Sequence, residues 1–486
     1  MKKYLSIVLG PLVFIIVNFF CEFKEITTEN GVISLDKDGQ IVLAATCWIA
    51  IWWMTEAIPL AVTSLLPLVL FPIFSLGDIS VKDVAQGYSH PLIFLFIGGF
   101  ILSIAIEKWN LHKRIAVIIL NKVGSNLKNI MLGFMIATAF LSMWISNTAA
   151  TIMMLPVALA VVKDIRLKNK DSKFGKPLML AIAYSATLGG VSTLIGTPPN
   201  IILSGMLEEI YQIQISFVDW MKIALPFSIP LIFVSWKYLG KILGDEKNLS
   251  QKNEKIKLSK MSPEEKKVAL IFGLTAFGWI TQSYILDFIG IKIKSFDTII
   301  ALCSAVILFI LPSSKNSAKL LSWDDMIKIP WDIILLFGGG LTLAASFAST
   351  GLSDWIGNNL IYLKGTHVAI ILLIIIALIN FLTEITSNSA TTSIILPIIA
   401  ALALAIDMNP ILLMCATAMA ASCAFMLPVA TPPNAIVFGS GELKISEMIR
   451  VGIWMNIISI LVLLLLMYFV VPIIFGISVT PFSTTF

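Results

Sequence analysis

Long, nearly uninterrupted apolar segments recur along the whole chain and constrain its fold more than any other feature. The clearest lie at 7–20, 41–53, 60–74, 91–105, 179–194 and 453–474. A helix needs about 20 apolar residues to cross a bilayer, and only 13% of this chain is charged, which excludes an ordinary soluble protein. Transmembrane barrels instead use alternating segments of about 10 residues. The sequence therefore predicts an all-α polytopic membrane protein with about ten or more spans.

Basic residues concentrate in two loops and set the expected orientation. The loops at 163–176 and 241–267 should both be cytoplasmic, because basic loops remain on that side of the membrane. The net charge of +5 is modest and gives no reason to expect a nucleic-acid partner. Following the spans along the chain, the segments 130–160 and 368–406 must each enter and leave on one face, as re-entrant hairpins or pairs of short spans. Phe486 then lies outside.

The chain also repeats itself. Three blocks of the first half return in the same order in the second half, at offsets of 240, 241 and 234 residues: Leu95–Gly99 with Leu335–Gly339, Ser146–Ala149 with Ser387–Ala390, and Gly196–Asn200 with Ala430–Asn434. Because the second hairpin enters from the opposite face, the repeats are inverted. Inverted repeats are typical of secondary transporters with a binding site near the membrane midplane.

These features divide the chain into four predicted segments. The first inverted repeat contains a hairpin at 130–160 and a broken helix at 178–206, and the second contains a hairpin at 368–406 and a broken helix at 411–440. The segments are a first helix with an external loop at 1–40, the first repeat at 41–240, a lysine-rich cytoplasmic linker at 241–267 and the second repeat at 268–486.

The repeated polar blocks carry the expected chemistry. Thr197 and Thr431 each precede a Pro-Pro pair, which ends one half-helix and begins another. Such breaks occur in a membrane only where protein or water satisfies the freed backbone groups, so they line cavities. The blocks contain no lysine or arginine. Hydroxyls, amide groups and helix N-termini could hold an anion, while Asn side chains and unwound backbone supply oxygens for Na⁺, so an anion with sodium is the simplest joint occupancy.

An enzymatic site is not expected. None of His90, His112 and His367 has a Glu or Cys at metal-ligand spacing, and no cofactor is predicted apart from Na⁺ as a coupling ion. Glu384 lies three residues before Ser387 and is expected to cap N–H groups of the second hairpin.

At these residues the sequence resembles the divalent anion/sodium symporter family, the INDY-like di- and tricarboxylate transporters. The resemblance includes both Ser-Asn-Thr-type motifs, both Thr-Pro-Pro-Asn breaks, and the segments Trp52–Pro59 and Trp109–Arg114. It implies about eleven spans and two hairpins, a homodimer, and a transport domain that moves against a dimerising scaffold. It further implies transport of C4-type dicarboxylates across a plasma membrane, here that of a bacterial cell.

The resemblance also implies the roles of individual residues. The substrate carboxylates would contact Ser146, Asn147, Thr148, Ser387, Asn388 and Ser389, and the hydroxyls of Thr197 and Thr431 complete the candidate substrate site. One sodium site would be formed by Ser142, Ser146, Asn147 and Gly196, and its symmetric mate by Thr383, Ser387, Asn388 and Ala430. Ser389 replaces the usual threonine, which removes a methyl group from the pocket.

The sequence leaves open whether transport is coupled to sodium. The family contains sodium-independent exchangers beside the sodium symporters, and the sequence fits both, although retention of the oxygen-bearing positions favours symport. A passive anion channel is the alternative from a different class, but a channel needs a continuous pore rather than an inverted pair of hairpins.

Overall fold

The computed structural model of the protein describes residues 2–23, 25–28, 31–74, 79–124, 126–244, 246, 258–291, 293–314 and 319–477. Residues 245 and 247–257 of the linker at 241–267 lie outside these residues, as does Phe486. Helices dominate the described part of the chain. Two three-residue strands, β1 (Ile26–Thr28) and β2 (Gly31–Ile33), pair antiparallel in the loop after the first helix.

The helices fall into two series of similar order. The first series consists of α1 (Lys2–Phe19), α2 (Lys37–Thr55), α3 (Leu60–Thr63), α4 (Leu66–Phe74), α5 (Val81–Ala85), α6 (Pro91–Lys108), α7 (Leu111–Lys122), α8 (Leu127–Ser142), α9 (Asn147–Lys168), α10 (Gly175–Val191), α11 (Pro198–Tyr211) and α12 (Phe217–Ile242). The second consists of α13 (Pro263–Ile289), α14 (Phe296–Ile310), α15 (Trp331–Ser349), α16 (Leu352–Asn359), α17 (Val368–Leu382), α18 (Asn388–Ala405), α19 (Pro410–Ser422), α20 (Pro432–Phe438), α21 (Ile445–Leu465) and α22 (Val471–Phe475).

Length and apolarity identify the spanning helices. Within the described ranges, seven are long and apolar enough to cross a membrane: α6, α9, α12, α13, α15, α18 and the continuous helical run Ile445–Phe475. Shorter apolar helices include α8, α14, α17 and α19. This architecture agrees with the predicted all-helical polytopic fold. The count of eleven spans and the re-entrant course of the hairpins stay predictions.

Local sequence explains where individual helices begin. Before α2, the Asp36 carboxylate accepts a hydrogen bond from the Gly39 N–H at 2.7 Å. Before α13, Ser262 and Glu265 form a reciprocal capping box. The helices α6, α11, α19 and α20 start with proline, whose missing N–H costs nothing in the first turn.

The core of the molecule lies around two buried helices, one from each series. Every residue of α19 is buried, as is nearly every residue of α10, and both helices are apolar on all sides. The two series also cross. Helix α11 of the first series packs against α18 and α19 of the second, while α20 of the second series packs against α9 and α10 of the first. This crossing brings the polar breaks of both repeats to the middle of the protein.

Four ion pairs join segments that the lysine pattern predicts to be cytoplasmic. They connect Lys108 with Asp325 at 2.6 Å, Arg166 with Glu442 at 2.6 Å, Arg114 with Glu265, and Lys176 with Glu447. Partial burial would raise the pKa of Asp325, but the hydrogen-bonded ammonium of Lys108 and the Ser322 contacts hold that pKa below its usual value. Each pair therefore joins two segments that the orientation rule assigns to the same side of the membrane.

Candidate functional site

Each repeat contains a short break where a Ser-Asn motif begins a helix. In the first repeat α8 ends at Ser142 and α9 starts at Asn147, with the Ser146 hydroxyl accepting a hydrogen bond from the Ala149 N–H at 3.2 Å. In the second repeat Ser387 occupies the N-cap position of α18. The motifs therefore lie at helix N-termini, where unpaired N–H groups and the helix dipole favour a negative charge.

The Thr-Pro-Pro-Asn blocks form a second pair of helix starts. Thr197 precedes α11, and Thr431 precedes α20 with its hydroxyl accepting from the Asn434 N–H at 3.3 Å. Asn200 holds its break by donating from its amide to the carbonyl of Thr193 at 2.7 Å. Asn434 does the same with the carbonyl of Leu427 at 3.0 Å. The two breaks are thus built alike, as the sequence repeat predicts.

All four helix starts line one cavity of about 930 Å³. Every predicted substrate residue lines it: Ser146, Asn147, Thr148, Thr197, Ser387, Asn388, Ser389 and Thr431. Beyond these substrate residues, the cavity is also lined by Glu56, Glu107 and Lys328. The sequence places these three residues at the cytoplasmic ends of their helices, so the cavity reaches the predicted cytoplasmic side.

The predicted sodium ligands divide into two groups. Ser146, Asn147, Gly196, Ser387, Asn388 and Ala430 line the cavity. Ser142 and Thr383 lie fully buried behind it. The Ser142 hydroxyl lies 2.6 Å from Asn147 Oδ1 and 2.7 Å from the Ala186 carbonyl oxygen.

The second repeat reproduces this arrangement. The Thr383 hydroxyl lies 2.7 Å from Asn388 Oδ1 and 2.7 Å from the Ala421 carbonyl oxygen. A hydroxyl has one hydrogen to donate, yet each of these faces two acceptor oxygens. Each repeat therefore holds a cluster of three oxygens with one shared proton, and such a cluster suits a small cation. Groups of three or more His, Cys, Asp or Glu side chains placed to hold a metal are absent from the described residues.

Glu384 has a structural role, but its partners are not those that the sequence predicts. Its carboxylate is 3% exposed and accepts hydrogen bonds from the N–H groups of Phe425 at 2.8 Å, Met426 at 3.0 Å and Leu427 at 3.0 Å. The Asn456 amide donates a further bond at 2.7 Å. The prediction that Glu384 caps the second hairpin is wrong, because these N–H groups belong to the break before α20.

The residues two positions before Ser146 and Ser387 differ in their surroundings. Trp144, two residues before Ser146, packs against three aromatic rings: Phe217 at 6.0 Å, Phe272 at 4.9 Å and Trp279 at 6.4 Å between ring centroids. Ile385, the equivalent residue of the second repeat at an offset of 241, is 69% exposed and lines the cavity. Trp144 is therefore packed among aromatic rings, while Ile385 faces the open cavity.

Sequence reasoning missed several cavity residues. Thr187 lines the cavity from the C-terminal part of α10, and Lys328 and Asp332 line its cytoplasmic end. None belongs to a repeated block, so the internal repeat could not reveal them. The signal for Thr187 is its spacing of three residues from Gly190, which places both on one helix face.

Comparison with known proteins decides the family. A sequence profile described as the sodium:sulfate symporter transmembrane region matches residues 14–476. The chain belongs to this family. The family is that of the divalent anion/sodium symporters, which confirms the resemblance of the motifs. It consists of membrane transporters rather than enzymes, and together with the apolar helices it identifies a multi-pass plasma membrane protein.

Curated relatives cover nearly the whole chain. The sodium-dependent dicarboxylate transporter SdcS of Staphylococcus saprophyticus is 45% identical over 495 residues, which cover 98% of this chain and 93% of the relative. SdcS of Staphylococcus aureus strain USA300 is 43% identical over 497 residues, with the same shares covered.

Solved structures show the same fold at low sequence identity. Neisseria gonorrhoeae MtrF, described as one of a class of antimetabolite efflux pumps, has a TM-score of 0.61 and 10% identity over 99% of this chain and 95% of its own. The Alcanivorax borkumensis YdaH transporter has a TM-score of 0.61 and 14% identity over 99% of both chains. These likenesses concern the fold alone.

Proposed function

We propose that this protein is a secondary active transporter that moves C4-type dicarboxylates such as succinate, malate and fumarate, and also 2-oxoglutarate, together with Na⁺. One observation carries the proposal: four helix N-termini from two repeats line a single cavity, and their polar blocks contain no lysine or arginine. A dianion at this point needs positive charge from the helix ends and from a bound cation. The name of the SdcS relatives, sodium-dependent dicarboxylate transporter, supports the same function.

The pseudo-symmetric motifs match a substrate with two carboxylates. One carboxylate binds at Ser146, Asn147 and Thr148, and the other binds at Ser387, Asn388 and Ser389. Thr197 and Thr431 lie beside them at the starts of α11 and α20. Hydroxyls, amide groups and free backbone N–H groups at helix ends are the donors that a carboxylate requires.

Sodium occupies the two oxygen clusters. The first site takes Ser142, Ser146, Asn147 and Gly196, and its mate takes Thr383, Ser387, Asn388 and Ala430. Unwound backbone carbonyls and amide oxygens at broken helices are the usual ligands of Na⁺ in such carriers. The two cations also offset the cost of moving a dianion out of water.

The carrier alternates access by an elevator-like movement within a homodimer. The crossing of α11 and α20 between the repeats supports a moving unit that contains both hairpins and both broken helices. The remaining helices of the segments 41–240 and 268–486 form the scaffold. The resemblance to the symporter family supports the homodimer, and crosslinking in native membranes tests it.

Uptake of labelled succinate by proteoliposomes tests the function. A sodium gradient should drive accumulation above the external concentration, and replacement of sodium by choline should abolish it. Uptake that requires internal dicarboxylate and ignores sodium would instead identify an exchanger. Equilibration without accumulation under every gradient would identify a passive anion channel. Asn147→Ala, reconstituted at the same density, supplies the background rate.

A further inference from the structure

The hydroxyl of Thr187 is unusual among the helical threonines. A buried helical threonine commonly donates to the carbonyl four residues earlier, as Thr138, Thr151 and Thr417 do at 2.7 to 2.8 Å. Thr187 is 2% exposed and is the one threonine among the described residues whose buried hydroxyl has no hydrogen-bond partner. A polar group buried in this way is unfavourable unless something binds it.

Thr187 lies where a cation ligand would be useful. It shares a face of α10 with Gly190, three residues later. A Cβ atom built on Gly190 would overlap the amide of Asn147, so this face of α10 lies directly against the Asn147 side chain. Thr187 also lines the cavity together with Ser146 and Gly196. Thr187 therefore lies beside the first oxygen cluster, which includes the carbonyl oxygen of the preceding residue, Ala186.

The equivalent hydroxyl of the second repeat already has a partner. Ser142 and Thr383 face the carbonyl oxygens of Ala186 and Ala421, which aligns the two buried helices at an offset of 235 beside the oxygen clusters. At this offset Thr187 corresponds to Ser422, whose hydroxyl donates to the Ala418 carbonyl at 3.2 Å. The repeats are therefore unequal at this position.

We infer that Thr187 supplies a further oxygen ligand to the first sodium site, and that the two sodium sites consequently differ in affinity. The inference rests on the proposed function, since it assigns an additional ligand to one of the two proposed cation sites. The first site gains a side-chain oxygen from α10, and the second relies on the ligands common to both. At rising sodium concentration the first site fills before its mate.

Sodium-dependent thermal stabilisation of the purified protein tests the inference without transport. Sodium is varied against choline at constant ionic strength, with no dicarboxylate present, and the unfolding temperature is recorded. Thr187→Val keeps the shape but removes the hydroxyl, and should raise the sodium concentration for half-maximal stabilisation by about tenfold. Thr187→Ser keeps the hydroxyl and should remain close to the wild-type value.

Thr417→Val is the matched control, because Thr417 is a buried helical threonine whose hydroxyl already bonds to Leu413. It should leave the sodium dependence unchanged. Wild-type sodium dependence in Thr187→Val, or an equal loss in Thr187→Ser, would overturn the inference. Thr187→Ala gives the same comparison if the valine variant fails to fold. A wild-type protein that neither responds to sodium nor transports with it would refute the proposed function itself.

Discussion

Replacement of Glu384 by glutamine should uncouple the break before α20 from the rest of the protein. The carboxylate faces donors only, namely three backbone N–H groups and the Asn456 amide. Glutamine keeps one acceptor oxygen and turns an NH₂ group toward the remaining donors. If the oxygen stays with Phe425 and Asn456, the N–H of Leu427 loses its acceptor.

The cost follows from these contacts. A hydrogen bond to a charged group contributes about 1.5–3 kcal/mol, roughly twice the contribution of a neutral one. One lost hydrogen bond and the loss of charge at the others should destabilise the ordered break by about 3 kcal/mol. This changes the equilibrium constant between its ordered and disordered forms roughly a hundredfold. This break carries Ala430 and Thr431, so we expect a weaker second sodium site as well as a less stable protein.

The assay is sodium-dependent thermal unfolding of purified Glu384→Gln, with Asp164→Asn as the control. Asp164 forms an exposed pair with Lys168 at 3.5 Å, and such a pair contributes about 0–1 kcal/mol. Glu384→Gln should require at least about tenfold more sodium, since only the fraction of molecules with an ordered break can bind it. The reasoning fails if both variants show the same unfolding temperature and sodium dependence.

Three further predictions concern orientation and substrate. Cysteines are introduced at Lys168 and at Thr484, which lies outside the described residues. They should react with an impermeant maleimide from opposite sides of the membrane, and reaction from the same side would refute the inverted repeat. Asn147→Ala and Asn388→Ala should each lower succinate uptake at least about tenfold, while the protein still inserts into the membrane. The reason is that a buried polar partner left without its hydrogen bond costs about 1–3 kcal/mol. Near-normal uptake by both variants would show that the hairpins are structural only. Ser389→Thr should favour four-carbon diacids over citrate by up to about 1 kcal/mol, one buried methyl group, whereas Ser389→Ala should weaken all substrates. Competition against labelled succinate measures both, and unchanged affinities in Ser389→Ala would remove Ser389 from the substrate contacts.

Repetition explains why so much of the site could be predicted. The blocks at Ser146 and Thr197, 51 residues apart, recur in the same order at Ser387 and Thr431, 44 residues apart. Both Thr-Pro-Pro-Asn blocks are helix breaks that a membrane protein tolerates where they line a cavity. The crossing of α11 and α20 then brings the four blocks together. A pattern present twice carries information about three-dimensional structure that a single motif does not.

Features that occur once could not be predicted in this way. The hydroxyl of Thr187 lacks the partner that the hydroxyl of Ser422 has, and Trp144 contacts Trp279, which lies 135 positions later in the chain. Glu384 was identified as a capping residue, but its partners lie 41 to 72 residues away and depend on how α17, α19 and α21 pack. Pairing over such distances is decided by tertiary packing, and a single sequence does not reveal it.

The stack at Trp144 implies that the two directions of the carrier cycle run at different rates. In the proposed alternating movement Trp144 leaves Phe217, Phe272 and Trp279, at a cost of about 1.5–4.5 kcal/mol for three aromatic pairs. Ile385, the equivalent residue of the second repeat, has no aromatic ring, so the second hairpin cannot recover that cost when it packs against the scaffold. The unloaded carrier would therefore rest with its cavity toward the cytoplasm, and its outward return would limit net uptake. Internal dicarboxylate bypasses the empty return step, so exchange across the membrane should be faster than net import.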